Sequence, residues 1–378
     1  MKDRPLSGII VLEFCQYLSG PSAGLRLADL GARVIKIESP KGDACRKLAI
    51  EDLWVNDRDS LLFHTINRNK ESLTANLKDE NDLSKIKKLI GLADVMIHNF
   101  RSGVMEKLGL GYEQVMSINS NIIYTEISGY GATGPWVKKP GQDLLCQAKS
   151  GLMYTSGNES DPPVPFGLAI GDIICGAQAV QGVLAGLIHV YKTGVGVKLE
   201  LSLMESLLDF QFELLTTYYE SGKLPRRSKT NNGHSLLGAP YGIHQTKDGY
   251  IAIAMVPLAD LAEAIACEQL LSFGKKDIFS KRDSIKKILA KHLAKQTSQY
   301  WIKLLKAKDL WAMELLDWEK LRFQSGYQQM ELEQKISLDS DLLTTRCPIR
   351  FDNQKLYGEK AAPDLGADTD KIIAEFGL

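Results

Sequence analysis

The strongest constraint on this chain is a change of hydrophobic period that recurs along its N-terminal half. Gly8 to Phe14 is an apolar, β-branched run, Pro21 to Leu30 has helical spacing, and Val34 to Glu38 is again short and strand-like. Together these read as a strand–helix–strand unit. Asp94 to Phe100 and Ile122 to Ser128 repeat the strand pattern, with a helical stretch at Leu83 to Leu92 leading in. Strands that alternate with crossover helices lie parallel, so the expected fold class is α/β, with a parallel sheet covered on both faces.

Length and composition fit an enzyme-sized globular protein of more than one domain: 378 residues, 44% hydrophobic and 24% charged. Lys plus Arg and Asp plus Glu are both 46, so no global basic field draws the chain to nucleic acid or an anionic membrane. The six cysteines form no CxxC pair and no metal-ligand spacing with His, so the expectation is reduced thiols and no metal. MKDRPLSGIIVLEF lacks the apolar core and cleavage site of a signal peptide, which points to a cytoplasmic location. Ile173 to Tyr191 approaches the length of a membrane span without a charged residue. It carries Gln178, Gln181 and His189, however, and reads as a helix buried in an α/β core.

Residues 132 to 171 are rich in Gly, Pro, Asp and Ser, as expected of loops that carry chemistry on a rigid sheet. The helix expected from just after Asp172 to about Lys192 ends at Gly194. Val197 to Leu203 then reads as a strand and Met204 to Glu220 as a helix. From about Pro225 the composition shifts toward Lys, Arg and short loops, with a strand at Tyr250 to Met255 and amphipathic helices over Lys276 to Lys306. A smaller α+β domain is expected there. The segment from Leu342 ends in a short helix, Thr369 to Phe376.

The turn after the first strand, CQYLSGPSAG, lacks the GxGxxG of dinucleotide-binding folds, although Ser19, Gly20 and Pro21 lead into a helix N-terminus suited to an anion. Asp172, between Gly171 and an apolar helix, has two readings. One is an ordinary N-cap. The other is a carboxylate left open by Gly171 and Gly176, kept ionised by the helix end, which would also stabilise an oxyanion. A carboxylate is a weak nucleophile that needs an activated carbonyl, and a thioester supplies one. Gln142 and Asp143 stand at the mouth of the same loop region, Asp143 fitting an Asx turn. His189, His234 and His244 have no catalytic partner at a recognisable spacing.

RPLSGIIVLEF, SGPSAGLRLADLGARVIKIESPKGD, ADVMIHNFRSGVMEKLGLGYE, SGYGATGP, GQDLLCQAKSG, GLAIGDIICG, KTGVGVKLELSLMES, GAPYGIHQTKDGYIAIA and APDLGADTDKIIAEFGL follow one another along nearly the whole chain. In this order they resemble family III CoA-transferases of the CaiB/BaiF type, which include formyl-CoA and carnitine CoA-transferases and 2-methylacyl-CoA racemases. The resemblance implies a large Rossmann-like domain built from both chain ends (1–205 and 342–378), a small domain (225–330), and an interlocked homodimer. It implies that Asp172 is the catalytic aspartate. It also implies that Ser19, Ala75, Asn76, Leu77, Lys78, Asn99, Phe100, Arg101, Lys107 and Lys139 line a site for coenzyme A, bound as substrate rather than as a permanent cofactor.

Departures from the family narrow the subclass. Racemases place a His where this chain has Gln142, which cannot take a proton near neutral pH, and a Glu where Val256 stands. Formyl-CoA transferases have Gln at the position of Leu18 and a basic residue near Ser39. The implied activity is therefore transfer of coenzyme A between small carboxylic acids through an aspartyl anhydride and an aspartyl-CoA thioester. Racemisation or isomerisation of an acyl-CoA is the alternative. The implied partners are an acyl-CoA, a carboxylic acid and a second copy of the chain, with neither nucleic acid nor membrane. Gly233 to Gly238 is the expected lid.

Overall fold

The computed structural model of the chain describes residues 4–55, 58–336 and 341–378; residues 1–3 and 56–57 of the domain expected over 1–205 lie outside them. Six strands form the main sheet: β1 (Ile10–Phe14), β2 (Arg33–Glu38), β3 (Lys70–Thr74), β4 (Val95–His98), β5 (Ile123–Ser128) and β6 (Val197–Ser202). Their order is β3-β2-β1-β4-β5-β6, and every neighbouring pair is parallel, as the alternating pattern predicts. The order reverses between β1 and β4, where doubly wound sheets leave a crevice at the carboxyl ends of their strands.

Strand β3 was not expected from the sequence, because KESLT is mostly polar. Each of its buried polar side chains has a partner that compensates burial. Lys70 Nζ lies 2.7 Å from Glu13 Oε2, Ser72 Oγ donates to Glu38 Oε1 at 2.8 Å, and Glu71 accepts from Arg33 Nε at 2.8 Å. Residues 331–378 belong to the same compact unit as the sheet. The backbone amides of Ser72 and Thr74 donate to Asp368 and Thr369, which covers the β3 edge.

One sheet face packs Leu12, Phe14, Ile35, Met96 and Tyr124 against Ile86, Leu89 and Ile90 of the helix Glu80–Ile90. On the other face lie α1 (Ser19–Asp29) and, later in the chain, the long helix Ile170–Thr193. Fully burying each such aliphatic side chain contributes roughly 1.5–3 kcal/mol.

The long helix starts three residues earlier than expected, and its cap residue is Ala169 rather than Asp172. Gly194, with φ 69°, ends it in the expected left-handed conformation. It is not buried all round. Gly171, Cys175, Gly176, Ala179, Val183 and Gly186 form the buried stripe, whereas Ile188 is 56% and Tyr191 90% exposed. Among the described residues it is the one helix long and apolar enough to cross a membrane, with a mean hydropathy of 1.7. The helix expected over 204–220 is two helices, Leu203–Phe210 and Phe212–Ser221, broken at Gln211.

A second compact unit comprises residues 147–168 and 211–330. Its antiparallel sheet orders Ala312–Glu314, Tyr250–Ile253 and Gly242–Gln245, and Ile251 and Ile253 pack with Leu289 and Trp301 of its helices. Burial pushes the His244 imidazole down to about 4, so it is neutral at pH 7. His234 Nε2 lies 3.6 Å from Glu213 Oε2, a carboxylate that sequence spacing did not reveal. The expected lid is tied to its own unit: the Ser235 carbonyl accepts from Arg282, and the Ala239 amide donates to the Ile278 carbonyl at 2.9 Å.

Candidate active site

The local fold places Asp172 in the first turn of the long helix, half-buried, where the leading amides need partners from outside the helix. Capping comes from elsewhere in the sequence. Asp143 Oδ1 accepts from the backbone amides of Gly171 at 2.7 Å and Asp172 at 3.2 Å. A Cβ on Gly171 would sit 2.8 Å from that oxygen and 3.2 Å from Leu207, so only glycine lets the Asp143 carboxylate approach. Gly176 has a packing reason as well, since a Cβ there would fall 2.3 Å from Ser22 Oγ and 2.7 Å from the Ser19 carbonyl.

These contacts correct two expectations for Asp172. The helix end does not hold it ionised: burial, and then the neighbouring Asp143 charge, push its carboxyl from the ordinary 3.8 up to about 7. Nor are the first amides free for an oxyanion, because Asp143 takes those of Gly171 and Asp172 and the Ala169 carbonyl takes that of Ile173. Among the described residues no protein group donates a hydrogen bond to the Asp172 carboxylate. Two acids thus meet at this helix end in different roles, Asp143 capping the first amides and Asp172 half-buried with its carboxyl raised.

Around them, the Gln142 side chain is exposed while its carbonyl accepts from Leu145 and Cys146, which starts the helix Asp143–Ser150. Cys146 is buried with its thiol pushed up to about 11 by desolvation. Gly129 and Gly141 meet backbone to backbone, a Cβ on Gly129 falling 2.3 Å from the Gly141 Cα, so residues 130–140 leave the end of β5 as a loop with a closed neck. Gly131 and Gly134 within it take φ of 89° and 88°. Lys139 is exposed on this loop.

A cavity of about 270 Å³ opens at the carboxyl ends of β1, β2 and β3. Ala75, Asn76, Leu77, Lys78 and Phe100 line it, together with Gln16, Ser39, Gly42 and Asp43, which the sequence reading did not place there. The signal for these four was positional, because they directly follow strands at the end where such sheets bind ligands. Ser19, Asn99, Arg101, Lys107 and Lys139 are not among the lining residues. Ser19 is the buried first residue of α1, and Asn99 is engaged with the backbone of Gln16 on both sides. Leu18 packs beside Cys45, Phe63 and Ile66.

The site thus lies on a doubly wound α/β unit with a cavity at the carboxyl ends of its strands and a half-buried carboxyl at a helix head. The chain belongs to CoA-transferase family III, whose model it matches over residues 6–369. Succinyl-CoA:glutarate CoA-transferase of Mus musculus is 37% identical over 251 residues, 66% of this chain, and the match spans about half (56%) of that relative's length. Acetyl-CoA:oxalate CoA-transferase of Acetobacter aceti is 33% identical over 322 residues, 83% of this chain and 81% of its own. The crystal structure of a CaiB/BaiF family protein from Brucella suis superposes with a TM-score of 0.85 at 29% identity, covering 99% of this chain and 100% of that one.

Proposed function

We propose that the protein transfers coenzyme A between small carboxylic acids with Asp172 as the covalent nucleophile. The observation that carries the reading is the pairing of Asp143 with Asp172. Asp143 is engaged by the backbone amides of Gly171 and Asp172, while Asp172 is half-buried and has its carboxyl raised to about 7, which makes it a more basic, better nucleophile than an ordinary aspartate. The ionised carboxylate attacks the thioester carbonyl; the C–S bond breaks, giving a mixed anhydride and CoA thiolate. The thiolate then attacks the aspartyl carbonyl, forming an aspartyl thioester and releasing the first acid. An acceptor carboxylate attacks that thioester to regenerate an anhydride, from which thiolate carries away the new acyl group and frees Asp172.

Ala75, Asn76, Leu77, Lys78 and Phe100 hold the coenzyme in the sheet-end cavity, Lys78 meeting phosphate and Phe100 packing on an apolar part. The names of the relatives above favour short dicarboxylic acids as acyl groups. We also propose that the chain acts as a homodimer in the cytoplasm, which would cover apolar residues such as Ile188 and Tyr191.

Mass spectrometry of enzyme mixed with succinyl-CoA, with hydroxylamine as trap, should mark the peptide containing Asp172. Asp172→Asn should fold and lose transfer. Full transfer by that variant, or a mark on Asp143, overturns the assignment. Rapid uptake of deuterium at the α-carbon of a 2-methylacyl-CoA would favour the isomerase reading instead.

A further inference from the structure

The turn between β1 and α1 joins the cavity to the carboxylate. On one side Gln16 lines the cavity. On the other, the Ser19 carbonyl abuts Gly176, one helical turn beyond Asp172. Between them Tyr17 adopts φ 62°, a left-handed conformation that a side chain disfavours.

Outside groups hold that conformation. The Gln16 amide donates to Asn99 Oδ1 at 2.9 Å, and Asn99 Nδ2 donates back to the Gln16 carbonyl at 2.7 Å. The Tyr17 amide donates to Asp43 Oδ1 at 3.2 Å. Asp43 is itself fixed, its amide donating to Glu38 Oε2 at 3.0 Å and its Oδ2 lying 2.9 Å from Lys36 Nζ. Lys36 pairs with Glu13 at 3.0 Å, and Glu13 with Lys70 at 2.7 Å. Glu13, Lys36, Asp43 and Lys70 are two acids and two cations, each at most 2% exposed. Apolar residues of the same volume would often stabilise a fold as well as a buried charge set does, so its geometric specificity calls for another reason. The set ends on the turn.

We infer that Asp43, together with Asn99, is a positioning residue that locks the Gln16–Leu18 turn so that a thioester held in the cavity is aligned with Asp172. The inference rests on the CoA-transfer reading above. It goes beyond it in giving a role to buried charges that contact neither reacting atom.

The test pairs each loss with a rescue. Asp43→Ala and Asn99→Ala should each lower kcat at saturating acyl-CoA by roughly tenfold or more, since misplacing reacting groups slows chemistry more than binding. Adding Tyr17→Gly should return kcat to within about threefold of wild type, because glycine takes positive φ without being held. A structural role alone predicts lower thermal stability with no rescue by glycine. Where Asp43→Ala does not fold, the Asn99→Ala pair, part-exposed and outside the charge set, decides. A kcat within about twofold of wild type in these variants, or no recovery on adding Tyr17→Gly, overturns the inference while hydroxylamine-trapped Asp172 in the wild type keeps the transfer reading intact. Failure to label Asp172 overturns both.

Discussion

Replacing Asp172 by Asn should make the protein more stable at alkaline pH and hardly change it in acid. The unfolded chain loses the Asp172 proton near 3.8, whereas the folded chain keeps it up to about 7. A folded-state acid constant raised in this way means that the native state binds the proton more tightly, so stability is highest below 3.8 and falls as pH rises toward 7. At about 1.36 kcal/mol per pH unit, that interval corresponds to about 4 kcal/mol of destabilisation at pH 8. The group is partly exposed, and the helix end favours its negative charge by about 0.3–1 kcal/mol, so the net penalty is nearer ~2 kcal/mol. Asn cannot ionise and escapes it. Thermal melts of wild type and Asp172→Asn at pH 5 and pH 8 should differ by no more than about 1 °C at the first and by roughly 2–4 °C at the second, the variant melting higher. A variant less stable than wild type at pH 8, or a difference unchanged between the two, would refute the reasoning that burial and Asp143 strain this carboxylate.

The same titration governs rate: kcat/KM should rise with pH to a plateau above about 7 as Asp172 ionises, and Asp143→Asn should move that acid limb to lower pH by removing the neighbouring charge. Lys78→Ala should raise KM for acyl-CoA by roughly three- to tenfold with kcat nearly unchanged, as measured by initial rates, since it lines the cavity proposed for the coenzyme and not the Asp172 carboxyl. Gly176→Ala drives a Cβ against the Ser19 carbonyl, which is backbone and cannot swing aside, and should cost about 1–3 kcal/mol in a denaturant titration.

What the sequence disclosed follows from how local each cause is. Strands β1, β2, β4 and β5 show as apolar runs, because their burial on both faces is written in consecutive residues. Strand β3 does not, because the partners that make Lys70 and Ser72 tolerable, Glu13 and Glu38, lie more than thirty residues away in sequence. Asp172 was visible as the acid heading an apolar helix. Its cap was not, since Asp143 reaches the Gly171 amide across 28 residues. For the same reason the charge state was misread: the helix end is local, whereas burial and the second acid arise from tertiary packing. Composition gave no sign of the charge set beneath the first turn, where each residue looks like surface until its partner is placed.

The closed neck at Gly129 and Gly141 bears on how a chain of this kind can change over generations. With both ends of residues 130–140 pinned together, the path of the chain into and out of the loop does not depend on the loop's length. Each doubling of its length adds only about 0.6 kcal/mol of closure entropy. Insertions and exchanges there leave the sheet, the Asp143 cap and Asp172 in register. The two glycines, by contrast, admit no replacement, because any side chain would force the two backbones apart. Diversification is therefore cheap within the loop and closed at its base.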